Sequence, residues 1–387
     1  MSVLNVERPD FMAEEDIRMF EDSVSKFFEQ NAPPERVAKW RKQKCVDREM
    51  WTKAGEAGLL GLSMPEVYGG AGGDYRHEVI LMEQLGYKSV DGFGASLHNA
   101  IVMPYILHYG TEEQKRRWLP RMATGELISA IAMTEPGAGS DLQGVKTTAI
   151  KTGNQYVING SKTFITNGQS ANLICVVAKT DKSQGAKGIS LVFLETEGAE
   201  GFERGRNLEK LGQPAQDTSE LFFNEVKVPT ENLLGLEEGK GFYQLMGQLP
   251  QERLNIAVQA ITTIEVALAL TIDYVKQRQA FGKKILDFQN TQFVLAECKT
   301  EATVGRVFVN HCIRIHLEGK LDAATASMAK YWLTDLEGKI IDRCLQLYGG
   351  YGFMDDFPIS RMYRDSRIQR IYGGTNEIMK VLIARTL

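Results

Sequence analysis

Histidine is scarce in this chain and cysteine is scattered. The five cysteines, Cys45, Cys175, Cys298, Cys312 and Cys344, form no CxxC pair. That excludes a dithiol motif or disulfide framework and leaves core packing as their expected use. Of the five histidines (His77, His98, His108, His311 and His316), His311 and His316 sit five apart on a predicted helix. They miss the i, i+4 spacing that puts two zinc ligands on one face, so no metal site is expected. Charge of one sign is not in excess: 45 Lys and Arg stand against 49 Asp and Glu, a net charge of −4. Nothing there attracts nucleic acid or an anionic membrane. Apolar runs are short, and polar residues interrupt the series over 254–275, so no membrane span is expected. The N-terminal run MSVLNVERPDFMAEED is too acidic for a transit peptide and lacks a signal peptide's apolar core. A reducing, cytoplasmic location is expected, or the mitochondrial matrix if a leader has been removed.

What is present divides the 387 residues into three segments, an α, β, α order of the α+β class. Over 1–125 the pattern is helical: Phe20, Val24, Phe27 and Phe28 recur at helical spacing, Pro33-Pro34 ends that element, and Val79, Met82 and Leu85 repeat it. Thr111 to Gln114 has the form of a capping box. Over 126–240 short β-rich runs alternate with Gly and Asn, which predicts an antiparallel β-domain with a hairpin turn at Asn159-Gly160. Over 241–387 long helical series return, Leu254 to Val275 and Trp332 to Leu347, the latter closed by Gly349-Gly350. A helical bundle is expected there.

Five stretches carry candidate chemistry. The run Met133-Thr134-Glu135-Pro136-Gly137-Ala138-Gly139-Ser140-Asp141 combines glycines that let backbone approach a ligand with hydroxyl donors. It is neither a P-loop nor GxGxxG, and alone it would equally be a plain turn. In Lys162 to Gly168, Phe164 and Thr166 share a strand face that could support a planar ring and donate to it, or could be ordinary packing. Tyr274 to Gly282, with Gln289 after it, offers Arg278 for a phosphate and Phe281 for stacking, or only a solvated helix end. The runs Gln346 to Phe353 and Ile371 to Glu377 each hold a glycine pair that could be no more than a cap or turn.

Together, in this order, the five stretches resemble the acyl-CoA dehydrogenase family over nearly the whole chain. The resemblance implies a C-terminal four-helix bundle and FAD as cofactor. It implies that Ile131 and the segment from Met133 and Thr134 through Gly139 and Ser140 wrap the flavin, and that Phe164, Ile165 and Thr166 lie against its ring. The family usually has tryptophan where this chain has Phe164. By the same resemblance Arg278, Phe281, Gln289, Gln346, Gly349 and Gly350 reach FAD across a subunit interface, while Thr375 and Glu377 also bind FAD, Glu377 on the adenosine side. A homo-oligomer, a dimer of dimers, follows from it, as does electron-transfer flavoprotein as electron acceptor.

The base is the departure. Many members carry the catalytic glutamate directly after the tyrosine of the fifth stretch, but this chain reads Tyr372-Gly373-Gly374-Thr375. Pro250 to Leu254 reads as the opening of the long helix, and similarity to the long-chain and isovaleryl branches puts the base at Glu252. The competing reading is a first-turn carboxylate favoured by the helix dipole. Glu377 is the weaker alternative base. The resemblance also implies that Gly373 supplies a backbone N–H to the thioester oxygen and that Ser140, Tyr243, Arg253, Tyr372 and Gly373 touch substrate; Arg253 is expected either to support the local structure or to orient the glutamate. Burial beside an acyl chain is expected to raise the glutamate's pKa. Gly92 to Ser96 lie where the family places the far wall of the acyl pocket, either opening it for a longer tail or serving tight packing. A long straight-chain acyl-CoA is the first expectation. A branched acyl-CoA (isovaleryl- or citronellyl-like) is the second, and a flavoprotein oxidase or a non-catalytic flavin-binding assembly protein remains as another class.

Overall fold

The computed structural model describes residues 3–387. The N-terminal segment is helical: α1 Asp10–Ala13, α2 Glu15–Asn31, α3 Pro34–Gln43, α4 Arg48–Glu56, α5 Tyr75–Tyr87, α6 Ala95–Leu97, α7 Met103–Tyr109 and α8 Glu112–Ala123. A π-turn, His98–Val102, joins α6 to α7. Thr111 and Gln114 form the expected capping box on α8, and the structure adds a second, Asp74 with His77, on α5.

The middle segment holds β1 Ser129–Ala132, β2 Thr148–Thr152, β3 Gln155–Thr166, β4 Leu173–Lys179, β5 Ile189–Glu195, β6 Phe202–Asn207 and β7 Thr218–Pro229 in one sheet. The antiparallel expectation holds for β2–β3, β3–β7, β4–β5 and β6–β7. It fails on one edge of β4, where β1 and the end of β2 pair in parallel. The hairpin expected at Asn159-Gly160 is instead a bulge inside β3, with a register shift between Ile158 and Gly160. The tight turn is Gly153-Asn154, flanked by the Thr152–Gln155 pair.

The C-terminal segment is α9 Gly241–Gln277, the hairpin β8 Gln279–Ala280 with β9 Lys283–Lys284, α10 Gln289–Leu317, α11 Ala323–Leu347, α12 Pro358–Asp365 and α13 Asn376–Ala384. Contrary to the expectation from its polar interruptions, α9 is long and apolar enough to cross a membrane by length and composition. Yet 67% of its most apolar window is buried inside this protein, as befits a core helix.

The cores run across the three segments. Ile17, Val24, Trp40, Trp51 and Val79 from the N-terminal helices pack in one cluster with Leu254, Ile261, Leu268, Ile340 and Cys344 of the bundle. On β4 the two-residue period splits the strand. Leu173, Cys175 and Val177 face Tyr105, Trp118 and Leu245 of the helices, while Ile174, Val176 and Ala178 face Ile158, Val192 and Leu221. Cys175, Cys298, Cys312 and Cys344 are buried, as expected, whereas Cys45 is only partly buried.

Candidate functional site

Glu252 stands where helices and sheet meet. Because α9 starts at Gly241, Glu252 lies about three turns into the helix rather than at its opening. The dipole reading therefore falls away, since that effect is confined to the first turn. The first-turn carboxylate is Glu377, exposed on α13 and held below the usual carboxylate range by hydrogen bonds at that helix start. Glu252 is 5% exposed, and its Oε1 accepts a 2.7 Å hydrogen bond from the Tyr105 hydroxyl on α7. Burial pushes its carboxyl up to about 7, against the lowering effects of Tyr105 and Arg253.

The fifth stretch closes on the same helix. Gly373 (φ 64°) and Gly374 (φ 91°) take left-handed conformations in succession. A Cβ at Gly373 would lie 2.5 Å from Ile256 Cδ1, one turn beyond Glu252. Arg253, itself buried, reaches the Gly373 carbonyl at 3.5 Å from Nε and the Ser327 hydroxyl at 3.5 Å from Nη1. The turn is pinned by the buried Lys330, whose Nζ donates to Gly374 O at 2.7 Å and Asn376 Oδ1 at 2.9 Å. Burial, with Arg253 nearby, lowers that ammonium to about 8. Thr375 caps α13 through Ile378 N–H. Tyr372 lies partly buried in this turn, and Tyr243 is exposed on the first turns of α9.

The first two stretches meet on the sheet. Ile131 of β1 pairs with Cys175. Lys162 Nζ donates to Met133 O and Glu135 Oε1, both at 2.9 Å, and Thr163 N–H donates to Thr134 O at 2.9 Å. Glu135 also accepts from the N–H groups of Lys146 and Thr147. The loop is thereby lashed to β3 while Gly137 and Gly139 face open space where a Cβ would stand, and Ser140 is exposed. Phe164 has φ 59° and is 66% exposed, with Ile165 buried beneath and Thr166 half-buried. A bulky residue in the left-handed region stores strain, and this one holds a bare aromatic face beside an open glycine loop. That combination fits the planar ring of FAD.

The third and fourth stretches gather at one end of the bundle. Arg278 lies 5.4 Å from the Tyr351 ring centre. Phe281 is 95% exposed. Gln289 begins α10, and Gln346, Gly349 and Gly350 are exposed at the end of α11, the two glycines with open space around them. Among the described residues no hydrogen bond or ring contact joins this group to β3 within the chain. At the supposed acyl wall the packing alternative explains both glycines: a Cβ at Gly92 would meet Ala215 at 2.4 Å, and one at Gly94 would meet Asn167 Oδ1 at 2.2 Å. Sequence reasoning missed Tyr105 and Lys330, which lie outside every motif, and passed over Glu135 and Lys162 within theirs.

Comparison with known proteins gives this site its context. Sequence profiles of the acyl-CoA dehydrogenase N-terminal, middle and C-terminal domains match residues 14–126, 130–226 and 239–387. The chain is 51% identical over 379 residues to the mitochondrial long-chain specific acyl-CoA dehydrogenase of Sus scrofa, spanning 97% of this chain and 87% of that one. The solved acyl-CoA dehydrogenase of Geobacillus kaustophilus superposes with a TM-score of 0.94 at 50% identity, covering 96% of this chain and 98% of that one. A chain solved in a study of the electron transferring flavoprotein of Acidaminococcus fermentans superposes at 0.91 with 38% identity, covering 98% and 99%. The protein belongs to the acyl-CoA dehydrogenase family and is an FAD-dependent oxidoreductase acting on acyl-CoA.

Proposed function

We propose that the chain oxidises long-chain acyl-CoA to the trans-2-enoyl-CoA, with Glu252 taking the α-proton. The observation that carries this reading is a buried carboxyl raised to about 7, one residue from the arginine that reaches Gly373. A carboxyl in that range is partly ionised at neutral pH and, once ionised, is a stronger base than an ordinary carboxylate. The Gly373 N–H donates to the thioester oxygen as negative charge builds there. Arg253 and Lys330 hold the Gly373-Gly374 turn in register with α9. FAD, when bound, accepts the β-hydride. Ile131, Met133, Thr134, Gly139, Ser140, Phe164, Ile165 and Thr166 would hold the flavin, with Thr375 and Glu377 toward the adenosine. Ser140, Tyr243 and Tyr372 would line the path of the thioester.

The exposed group Arg278, Phe281, Gln289, Gln346, Gly349 and Gly350 would complete the cofactor site of a neighbouring subunit, in a dimer of dimers. An electron-transfer flavoprotein would accept the electrons, a reading supported by the Acidaminococcus fermentans likeness, and the location would be cytoplasmic. The long straight chain is preferred to a branched one because the pig relative is named for long-chain substrates.

Anaerobic stopped-flow reduction by straight and branched acyl-CoAs tests the reading. Wild type should be reduced fastest by long straight chains, and Glu252→Gln should lose about 10²–10⁴-fold in rate with ligand binding kept. Wild-type rates in the variant would remove Glu252 from the mechanism. Fastest reduction by isovaleryl-CoA would move the substrate to the branched class.

A further inference from the structure

Proline at 104 creates an acceptor with no helical donor. In an α-helix the carbonyl of Ala100 would accept from the N–H four residues on, and Pro104 has none. The chain answers with the π-turn His98–Val102 just before α7, a form of irregularity that gathers at functional sites. The Ala100 carbonyl turns to α9 for its donors. Gln251 Nε2 reaches it at 2.8 Å and Asn255 Nδ2 at 3.3 Å. These two amides flank Glu252, one residue before it and three after.

The other ends of both amides are also held. Gln251 Oε1 accepts from His316 Nε2 at 3.2 Å, and Asn255 Oδ1 accepts from the Tyr75 hydroxyl at 2.7 Å. Tyr75 and His316 pack edge to face with ring centres 4.4 Å apart. The stretch of α9 that carries Glu252 is thus locked to α5, α10 and the π-turn by a closed set of buried and partly buried polar contacts. Next to Pro104, and aimed by the same turn, Tyr105 is fully buried and gives its only hydroxyl proton to Glu252 Oε1 at 2.7 Å. Among the described residues Oε2 has no hydrogen-bond partner.

We propose that Tyr105 is the positioning residue of the base: its hydroxyl holds Oε1 of Glu252 and leaves Oε2 free to receive the α-proton. This inference rests on Glu252 being the base. The phenol is suited to the task because burial raises its own pKa well above the ordinary value, so it remains a donor. Donation to a carboxylate favours the charged form, which opposes the burial that raises Glu252. Every other titratable group around the base is accounted for. Arg253 on the same helix favours the carboxylate. From β4, Cys175 is buried and its thiol is pushed up, so it stays neutral. On α7, Tyr109 lies 6.4 Å from the Tyr105 ring centre and His108 is lowered by burial. Lys330 acts on Arg253 from α11, Tyr372 is raised by burial, and His316 is lowered to about 4.

The test uses the full-length flavoprotein and palmitoyl-CoA. Flavin reduction is followed anaerobically against pH for wild type, Tyr105→Phe and Glu252→Gln, with flavin content and melting temperature as controls for folding. Tyr105→Phe removes one oxygen atom and keeps the ring. The acid limb should move up by about one pH unit, giving about tenfold slower reduction at pH 6 and near wild-type reduction at pH 9. Replacing Tyr105 by 3-fluorotyrosine, which keeps the hydroxyl and makes it a stronger donor, should move the limb the other way. The second variant decides the matter if the phenylalanine form fails to fold. Independently of turnover, the infrared carboxyl band that disappears in Glu252→Gln should titrate higher in Tyr105→Phe. An unchanged pH profile and band in the Tyr105 variants, with Glu252→Gln inactive, overturns the role of Tyr105. Wild-type reduction by Glu252→Gln overturns instead the assignment of the base.

Discussion

At the scale of single residues, Glu252 carries a stability cost that its placement makes measurable. The carboxyl is raised from its ordinary 4.5 to about 7. Between those values the folded chain binds more protons than the unfolded one, so stability falls as pH rises through that window. Above it, holding the ionised carboxylate costs about 3 kcal/mol, on about 1.4 kcal/mol per unit. Glu252→Gln should therefore melt at a higher temperature than wild type at pH 8, and the two should converge near pH 4. Scanning calorimetry on flavin-matched samples at both pH values checks this. A variant that is no more stable at pH 8 would mean that the glutamate is not desolvated.

Among the elements, β3 departs furthest from its sequence pattern. Asn159-Gly160 is a strong local turn signal, yet the strand continues through it. Gly160 lies over Thr147, where a Cβ would sit 2.4 Å from Oγ1, and Asn159 Oδ1 accepts from Glu225 N–H on β7. The glycine serves a close approach between two segments of the chain, and sheet pairing overrides the local preference. Further along, β3 carries Lys162, fully buried with Glu135 as its ionic partner. Breaking a buried pair by removing one member leaves the other charge uncompensated, at about 3–5 kcal/mol. Lys162→Met should accordingly lower the melting temperature and release the Met133–Asp141 loop, with loss of flavin measured by the ratio of visible to ultraviolet absorbance. Normal flavin content would show that the loop is held without Lys162, by the Thr163–Thr134 backbone contact and the Lys146 and Thr147 N–H groups on Glu135.

For the whole molecule, exposed aromatics concentrate at one end of the bundle. Phe281 and Phe353 are 95% and 84% exposed, with Tyr351 and Met354 also open. An apolar patch of this kind on a folded chain marks a binding surface. If it completes the cofactor site of a neighbouring subunit, Phe281→Ala should lose flavin and shift the assembly toward smaller species while leaving the fold of the chain intact. Sedimentation velocity with absorbance at the flavin band and at 280 nm reads both effects together. A variant with unaltered flavin content and size would place the subunit interface elsewhere.

The order of helices and strands and the caps at Thr111 and Gly349 were legible in the sequence, because each depends on a local period or a turn residue. The five candidate stretches and Glu252 were given a role only by resemblance, Glu252 also through the absence of a carboxylate at Gly373. The start of α9 was not legible: Pro250 reads as a beginning, and only packing against α7 and β5 carries the helix back to Gly241. Nor were the parallel pairing of β1 with β4, the passage of β3 through Asn159-Gly160, or the partners of the base. Tyr105 and Glu252 are separated by 147 residues, and no periodicity links such positions. Chain connectivity determines which segments form, while burial in a shared core decides which of their polar groups must meet.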